Sequence, residues 1–343
     1  MKIAVLGSGT VGVMSVCHFL KYLPEAEITC IYNPDKNILG IGESSNVQLP
    51  ALLWHSVNFN VFIDSKELSS TIKLGVLYKN RFKILHKEIK ELIQFKDKVK
   101  ICFNEDKKEY DYVIDCRGYP EDYSNYHMCT SLPLNRCFVN MIPEPGNFSY
   151  TYHYAHKNGW MFGIPLTHRQ GWGYLFNDQI TSEQEAIDDI NEIFKSNKKK
   201  KDLRNFKFKP YRTKKFLEGR IIKNGNRAIF YEPMEALSGV YYDIINRSLF
   251  DHIKDGVSEP YVNEYLDLLA QRYENFICYV YNQGSIYKTK FWKQVKKSTD
   301  KHLKNNQLWE ETLNSLKETK EDTTTTWPFA KKSWKILKDN FKC

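Results

Sequence analysis

Residues 2–12 read KIAVLGSGTVG. A short apolar strand runs straight into glycines at 7, 9 and 12, and residues 13–23 carry the apolar spacing of a helix. Residues 28–32 make a second strand. Strand, glycine loop, helix and strand open a dinucleotide-binding fold. The three glycines serve different ends. Gly7 permits the turn, Gly9 lets backbone approach a pyrophosphate, and Gly12 lets the helix pack on the strand. Thr10 and Val11 complete the loop, whose N–H groups and helix dipole suit a phosphate. The expected class is therefore α/β, with a Rossmann-like nucleotide domain.

A second stretch, residues 225–247, reads GNRAIFYEPMEALSGVYYDIINR. An apolar run at 228–230 is followed by Glu232-Pro233-Met234-Glu235 and a helical pattern through Ile244 and Leu249. Strand, tight turn and helix start make an anion site with a carboxylate beside it; an ordinary helix start with Glu232 and Glu235 favouring the dipole is the plainer alternative. With the glycine loop near the other end of the chain, the turn suggests two distant segments meeting over a cofactor.

Between these stretches the signals are weaker. Asn33 stands where a ribose-binding acid is usual, which weakens an NAD assignment, although its amide can still bond a ribose hydroxyl. LGIGESS (39–45), with Gly42, Glu43 and Ser44, reads locally as a turn with a helix N-cap before a helix at 47–54. Lys73 interrupts the strand-like run SSTIKLGVLYK (69–79). It either points outward or is an inward ammonium, which is costly unless it has a chemical role. Residues 82–93 suggest a helix, and 99–103 with 110–114 a hairpin ending in DCRG, which puts Gly118 at the far rim of the nucleotide site.

From 138 to 176 the texture becomes alternating and aromatic. Four strands at 138–142, 148–155, 160–166 and 172–176 imply an antiparallel sheet, a wall for a planar ligand or simply a sheet packed on its own core. Residues 182–194 and 260–281 are helical, and smaller helices follow. The expected division is a nucleotide domain from 1–120 and 220–258, a sheet region at 121–219, and a helical part at 259–343.

Bulk properties exclude several classes. No apolar run is long enough to cross a bilayer, and Lys2 leads directly into a strand rather than a signal peptide. The net charge of +9 lies largely in Lys198–Lys201 and the lysine-rich last quarter, without the basic–aromatic interleaving of a nucleic-acid surface. The eight cysteines show no CxxC and no metal-like pairing, and they read as reduced. A cytoplasmic enzyme without nucleic-acid or membrane partners is expected.

Taken in order, these pieces resemble the flavin-dependent tryptophan halogenases. GSGTVG (7–12) matches that family's glycine loop, and Gly40-Ile-Gly42-Glu43-Ser44-Ser45 is similar to its GVGEAT element. Trp160-Met-Phe162-Gly-Ile164-Pro165 is similar to WxWxIP, followed by the R-x-G-x-G-Y strand at 169–174. Glu232-Pro-Met-Glu235-Ala-Leu237-Ser238 is similar to EPLEATS, and Phe291-Trp292 to a later FW pair. The resemblance implies a Rossmann-like FAD-binding domain of flavin-monooxygenase type, an antiparallel substrate region and a helical C-terminal part. It implies that FAD, reduced by a separate flavin reductase, reacts with O₂ and a halide ion to give hypohalous acid. That oxidant would pass to Lys73 and halogenate a small aromatic substrate, with Glu235 orienting it or taking the ring proton. By position, Leu237 and Ser238 would hold the halide through their N–H groups. Gly7, Gly9, Thr10, Val11, Gly12, Asn33, Gly42, Glu43, Ser44, Gly118, Trp160, Ile164 and Pro165 would hold the cofactor.

The chain departs from the pattern in two ways. Phe162 replaces the second tryptophan of WxWxIP, and the spans between Lys73 and Asp115 and before Glu232 are short. A flavin monooxygenase of the same fold, or a flavin-binding protein without halogenating turnover, are the alternatives.

Overall fold

The KIAVL run becomes β1 (Lys2–Leu6), followed by α1 (Thr10–Tyr22) and β2 (Glu27–Ile31). Then come α2 (Gln48–Val57), α3 (Val61–Asp64), β3 (Val76–Lys79), β4 (Tyr112–Asp115) and β5 (Tyr126–Met128). The aromatic centre forms β6 (Arg136–Ile142), β7 (Thr151–His156), β8 (Gly159–Pro165), β9 (Gln170–Phe176) and α4 (Glu183–Phe194). Short strands follow: β10 (Arg204–Lys207), β11 (Tyr211–Thr213), β12 (Leu217–Glu218), β13 (Ile221–Lys223) and β14 (Ile229–Phe230). Four helices close the chain: α5 (Ser238–Asp255), α6 (Glu259–Gln283), α7 (Lys290–Lys304) and α8 (Gln307–Ser315). This computed structural model describes residues 1–32, 48–64, 76–79, 110–148, 150–317, 327–329, 331 and 334.

Two compact units result. One comprises Met1–Ile72, Glu91–Met128 and Tyr211–Leu268; the other comprises Lys73–Lys90, Cys129–Pro210 and Leu269–Cys343. The helices expected as a separate C-terminal part are thus divided between the two, and residues 211–219 fall in the nucleotide unit rather than with the aromatic sheet.

The first unit is built on a five-stranded sheet in the order β12-β13-β4-β1-β2. β1 pairs in parallel with both β2 and β4, and β13 pairs in parallel with β4. Central parallel strands are covered on both faces, so they need continuous apolar residues rather than alternation. Ile3, Ala4, Val5, Val113 and Ile114 are accordingly buried, and full burial of such aliphatic side chains contributes about 1.5–3 kcal/mol each. Met14 and Cys17 of α1 pack on Leu52 and Leu53 of α2. The hairpin expected between 99–103 and 110–114 has its first arm outside the described residues. Its second arm, β4, runs parallel to both neighbours. A small sheet, β14-β11-β5, was not anticipated and completes this unit.

The second unit contains the four expected antiparallel strands inside a six-stranded sheet, β10-β6-β9-β8-β7-β3. β10 adds antiparallel to β6, and β3 adds parallel to β7. Phe138, Met161, Trp172, Tyr174 and Phe176 pack against Ala186, Ile187 and Ile190 of α4. That helix starts at a capping box, in which Ser182 and Glu185 satisfy each other's backbone N–H groups. On α4, Asp189 is buried and receives Asn158 N–H at 2.9 Å and the Tyr174 hydroxyl, with His156 Nδ1 at 3.0 Å.

Two glycines decide how β8 and β9 pair. Phe162 lies opposite Gly173, and Gly163 opposite Trp172, on alternate faces of the sheet. A Cβ at Gly173 would sit 2.2 Å from the Phe162 ring, and one at Gly163 would sit 2.3 Å from the Trp172 ring. Each ring therefore lies flat in space that only a glycine leaves open. Gly173→Ala is expected to destabilise the fold by about 1–3 kcal/mol through overpacking. Urea denaturation should also show that adding Phe162→Leu recovers part of that loss. A purely additive double variant would disprove the coupling.

Candidate active site

The glycine loop has the geometry its spacing implied. Gly7 adopts φ +107 and donates its N–H to Ile31 O at 2.7 Å, tying the turn to β2. A Cβ at Gly12 would lie 1.9 Å from Gly7 O, so the helix starts hard against the turn. Gly9 differs: its backbone is extended (φ −69, ψ 177), it caps α1 without a side-chain bond, and among the described residues nothing lies within 4 Å of a Cβ built there. Gly118, at φ +85, likewise has no described residue within 4 Å of a Cβ built on it. Thr10 is exposed, and Val11 packs against Gly225. The cradle therefore has solid glycine contacts underneath and room above, as a dinucleotide requires.

The strand ends around the loop are cross-linked by buried polar groups. Cys116 N–H donates to Leu6 O at 2.9 Å, and Asn224 N–H donates to Asp115 O at 2.9 Å. Asn224 Nδ2 donates to Asn246 Oδ1 at 2.9 Å and to Tyr242 O at 3.1 Å. Ser15 of α1 donates to the same Asn246 oxygen at 2.9 Å. Nearby, His18 Nδ1 lies 3.4 Å from Asp243 Oδ1. These bonds join the loop's own helix, α1, to α5, the helix that follows the acidic turn.

That turn is unusual in its backbone. After β14, Pro233 leads into a tight turn over Met234–Ala236, and both Glu235 (φ 61, ψ 5) and Ala236 (φ 54) are left-handed. Non-glycine residues there cost about 1–2 kcal/mol each, and such a conformation persists only where the surrounding structure holds it. The Glu235 carboxylate is buried, as is Glu232. α5 begins with Leu237 as its N-cap and no side-chain capping bond. The first-turn N–H groups of a helix lack intrahelical acceptors, and in α5 they follow directly on Leu237.

Asp115 closes the other side of the cradle. Arg117 donates to it through Nε (2.8 Å) and Nη2 (2.7 Å), and Arg227 Nε lies 3.2 Å away. Burial raises the Asp115 carboxyl, but the Arg117 hydrogen bonds and the charges of Arg117 and Arg227 outweigh it and leave it below the usual carboxylate range. Its charge thus stabilises the fold above the unfolded value of about 3.9, and that contribution fades as pH falls through the lower folded value. The stability gap between wild type and Asp115→Asn should narrow as pH falls below about 4 in chemical denaturation. A gap independent of pH would contradict the pairing. Burial also pushes the Cys116 thiol up to about 12, which makes it a poor nucleophile at neutral pH.

The structure brings Gly7, Gly9, Thr10, Val11, Gly12, Gly118, Glu235, Leu237 and Ser238 into one unit. Asn33, Gly42, Glu43, Ser44 and Lys73 lie outside the described residues. Trp160, Ile164 and Pro165 belong to β8 of the second unit, where Trp160 is fully buried and its Nε1–H donates to the Tyr281 hydroxyl at 2.6 Å. Sequence reading missed the Asp115–Arg117–Arg227 cluster and the Asn224–Asn246–Ser15 network. The one local signal was an acid and a base two apart at the end of a strand. Among the described residues, no group of three or more His, Cys, Asp or Glu could hold a metal, and no helix is long and apolar enough to cross a membrane.

The profile of the family described as tryptophan halogenase matches residues 87–337. The chain is 26% identical over 184 residues to the tryptophan 7-halogenase KtzQ of Kutzneria sp. (strain 744), covering 50% of this chain and 33% of that protein. It is 24% identical over 143 residues to the tryptophan 7-halogenase RebH of Lentzea aerocolonigenes, covering 38% and 27% respectively. The alignments therefore span a third or less of these curated relatives. Among solved structures, BrvH, a flavin-dependent halogenase from Brevundimonas sp. BAL3, aligns with a TM-score of 0.78 at 13% identity, over 99% of this chain and 90% of that one. MibH, a tryptophan 5-halogenase, aligns with a TM-score of 0.77 at 15% identity, over 99% and 85%. At these identities the structural likeness is one of fold.

Proposed function

The chain belongs to the tryptophan halogenase family, and on that premise we propose that it is an FAD-dependent halogenase acting on an indole- or phenol-like ring. The observation that carries this reading is the buried Glu235, held in a left-handed turn directly before an α5 start that no side chain caps. It shares a unit with a glycine cradle that is open at Gly9 and Gly118.

In this reading the loop Gly7–Gly12 and Gly118 hold the dinucleotide, with Asn33, Gly42, Glu43 and Ser44 completing its site. When bound and reduced by a separate flavin reductase, FAD supplies the reducing equivalents by which O₂ and halide become hypohalous acid. Leu237 and Ser238 hold the halide by their N–H groups, using the positive end of α5. The Lys73 ammonium bonds the oxidant's oxygen, polarises the O–X bond and gives that oxygen a proton, so that the halogen adds to the ring as an electrophile and the oxygen leaves as water. The Glu235 carboxylate lowers the energy of the cationic ring and accepts the proton that the substituted carbon loses. Trp160, Ile164 and Pro165 contribute an apolar wall.

The test is direct. Purified protein is incubated with FAD, a flavin reductase, NADH, chloride or bromide, and a panel of indoles and phenols. Halogen isotope patterns in the mass spectrum are expected, strictly dependent on halide. An oxygenated product formed without halide would favour the monooxygenase reading, for which Phe162 in place of the second tryptophan is the motive. Bound FAD without any substrate-dependent turnover would leave a flavin-binding protein.

A further inference from the structure

Asp115 and its two arginines have a geometry that internal pairing alone does not use up. The Asp115 side chain is 7% exposed, and two guanidinium groups converge on it. One carboxylate against two guanidiniums leaves a surplus positive charge, and Glu121 is only a weaker, longer-range influence on Arg117. Arg117 is fixed twice over, because its backbone N–H also donates to Asp115 Oδ1 at 3.2 Å. Its side chain nevertheless remains 45% exposed. Asp115 takes Nε and Nη2, and the opposite edge of the planar group is left to face something else.

Both arginines stand on segments that touch the glycine loop. A Cβ at Gly7 would lie 3.6 Å from Arg117 N, and one at Gly225 would lie 3.0 Å from the Val11 side chain. The residue after Arg117 is Gly118, which, like Gly9, has no neighbour within 4 Å of a built Cβ among the described residues. A guanidinium that is held by a carboxylate and half-exposed, on a residue whose backbone lies against Gly7 and leads into Gly118, is preorganised for a phosphate oxygen, with little side-chain entropy left to lose on binding. The anion nearest at hand for such a loop is the one that bridges the two halves of a dinucleotide.

We propose that Arg117, braced by Asp115 and flanked by Arg227, binds the diphosphate of the cofactor carried by the Gly7–Gly12 loop. The inference rests on the dinucleotide reading of that loop and assigns it a side-chain anion partner. Arg117 is a binding residue in this account, and Asp115 positions it.

The experiment measures binding by calorimetry for FAD, ADP and adenosine, in wild type, Arg117→Gln and Arg117→Lys. Arg117→Gln is expected to weaken FAD and ADP by about 10–100-fold, the range of one charged hydrogen-bonding partner, and to leave adenosine within about twofold. Arg117→Lys should recover part of the loss, since it restores charge without the planar fork. Undiminished ADP binding by Arg117→Gln would overturn the assignment. So would an equal loss for adenosine, which carries no phosphate. Wild-type binding of ADP without FAD would end the flavin reading and leave this one standing; binding of neither would end both.

Discussion

Glu235→Gln is expected to lower halogenated product by at least about 100-fold while leaving the rate of reduced-flavin oxidation within about twofold. Glutamine keeps the size of the side chain and meets the same left-handed backbone, so the cost of the turn at Glu235 (φ 61) and Ala236 (φ 54) is unchanged. Only the charge is lost. A buried carboxylate is worth most where a positive charge develops away from water, which is the situation of an aromatic ring that has just gained a halogen cation. The amide can neither balance that charge nor take the ring proton. Product formation and flavin oxidation should therefore separate in one variant, as they should in Lys73→Ala. If Glu235→Gln keeps half the wild-type product rate, the carboxylate has no part in the chemistry.

The second large effect concerns two glycines of one loop that act in different ways. Gly12→Ala puts a Cβ 1.9 Å from Gly7 O, and that oxygen belongs to a turn already tied to β2 by the Gly7 N–H bond. Backbone cannot swing aside as a lysine tip can. A loss of about 3 kcal/mol or more is expected, with little FAD bound by whatever remains folded. Gly9→Ala meets no neighbour within 4 Å among the described residues and keeps an ordinary extended backbone. Its ligand-free stability should stay within about 0.5 kcal/mol of wild type, while FAD affinity falls at least about tenfold. Thermal melts with and without FAD separate the two. A Gly9→Ala protein that binds FAD normally would mean that the cofactor does not approach that backbone.

These contrasts also show what the linear sequence could convey. The loop at 7–12 was legible because every constraint on it is local: a strand, a turn and a helix within about twenty residues. The turn at 232–238 was legible as a turn, but its two left-handed residues were not, because neither is a glycine and nothing local announces the strain. Strands 138–176 were readable from their alternation and breaks. Of their flanking partners, β10 was not readable, and β3 was readable only as part of the strand-like run at 69–79 and not by its place beside β7, since a short edge strand takes its position from the neighbour it pairs with. β13 is the clearest case: Ile221–Lys223 find their place beside Val113–Asp115, a segment remote in the chain. The cluster of Asp115, Arg117 and Arg227 joins residues from two such distant segments, so spacing alone could not assemble it. Trp160 was expected at the cofactor by motif; its engagement with Tyr281 depends on a helix far downstream.

The order β12-β13-β4-β1-β2 has a consequence for how the molecule is made. A ribosome delivers β1 and its glycine turn first, yet the strand beside β4 and the Asn224 clamp emerge only after residue 220. At about 5–20 residues per second, that leaves the nascent nucleotide pocket without its last wall for roughly ten to forty seconds. During that window β4, β1 and β2 can pair with one another, but the side of β4 that β13 will take stays uncovered, an edge open to wrong strand pairing.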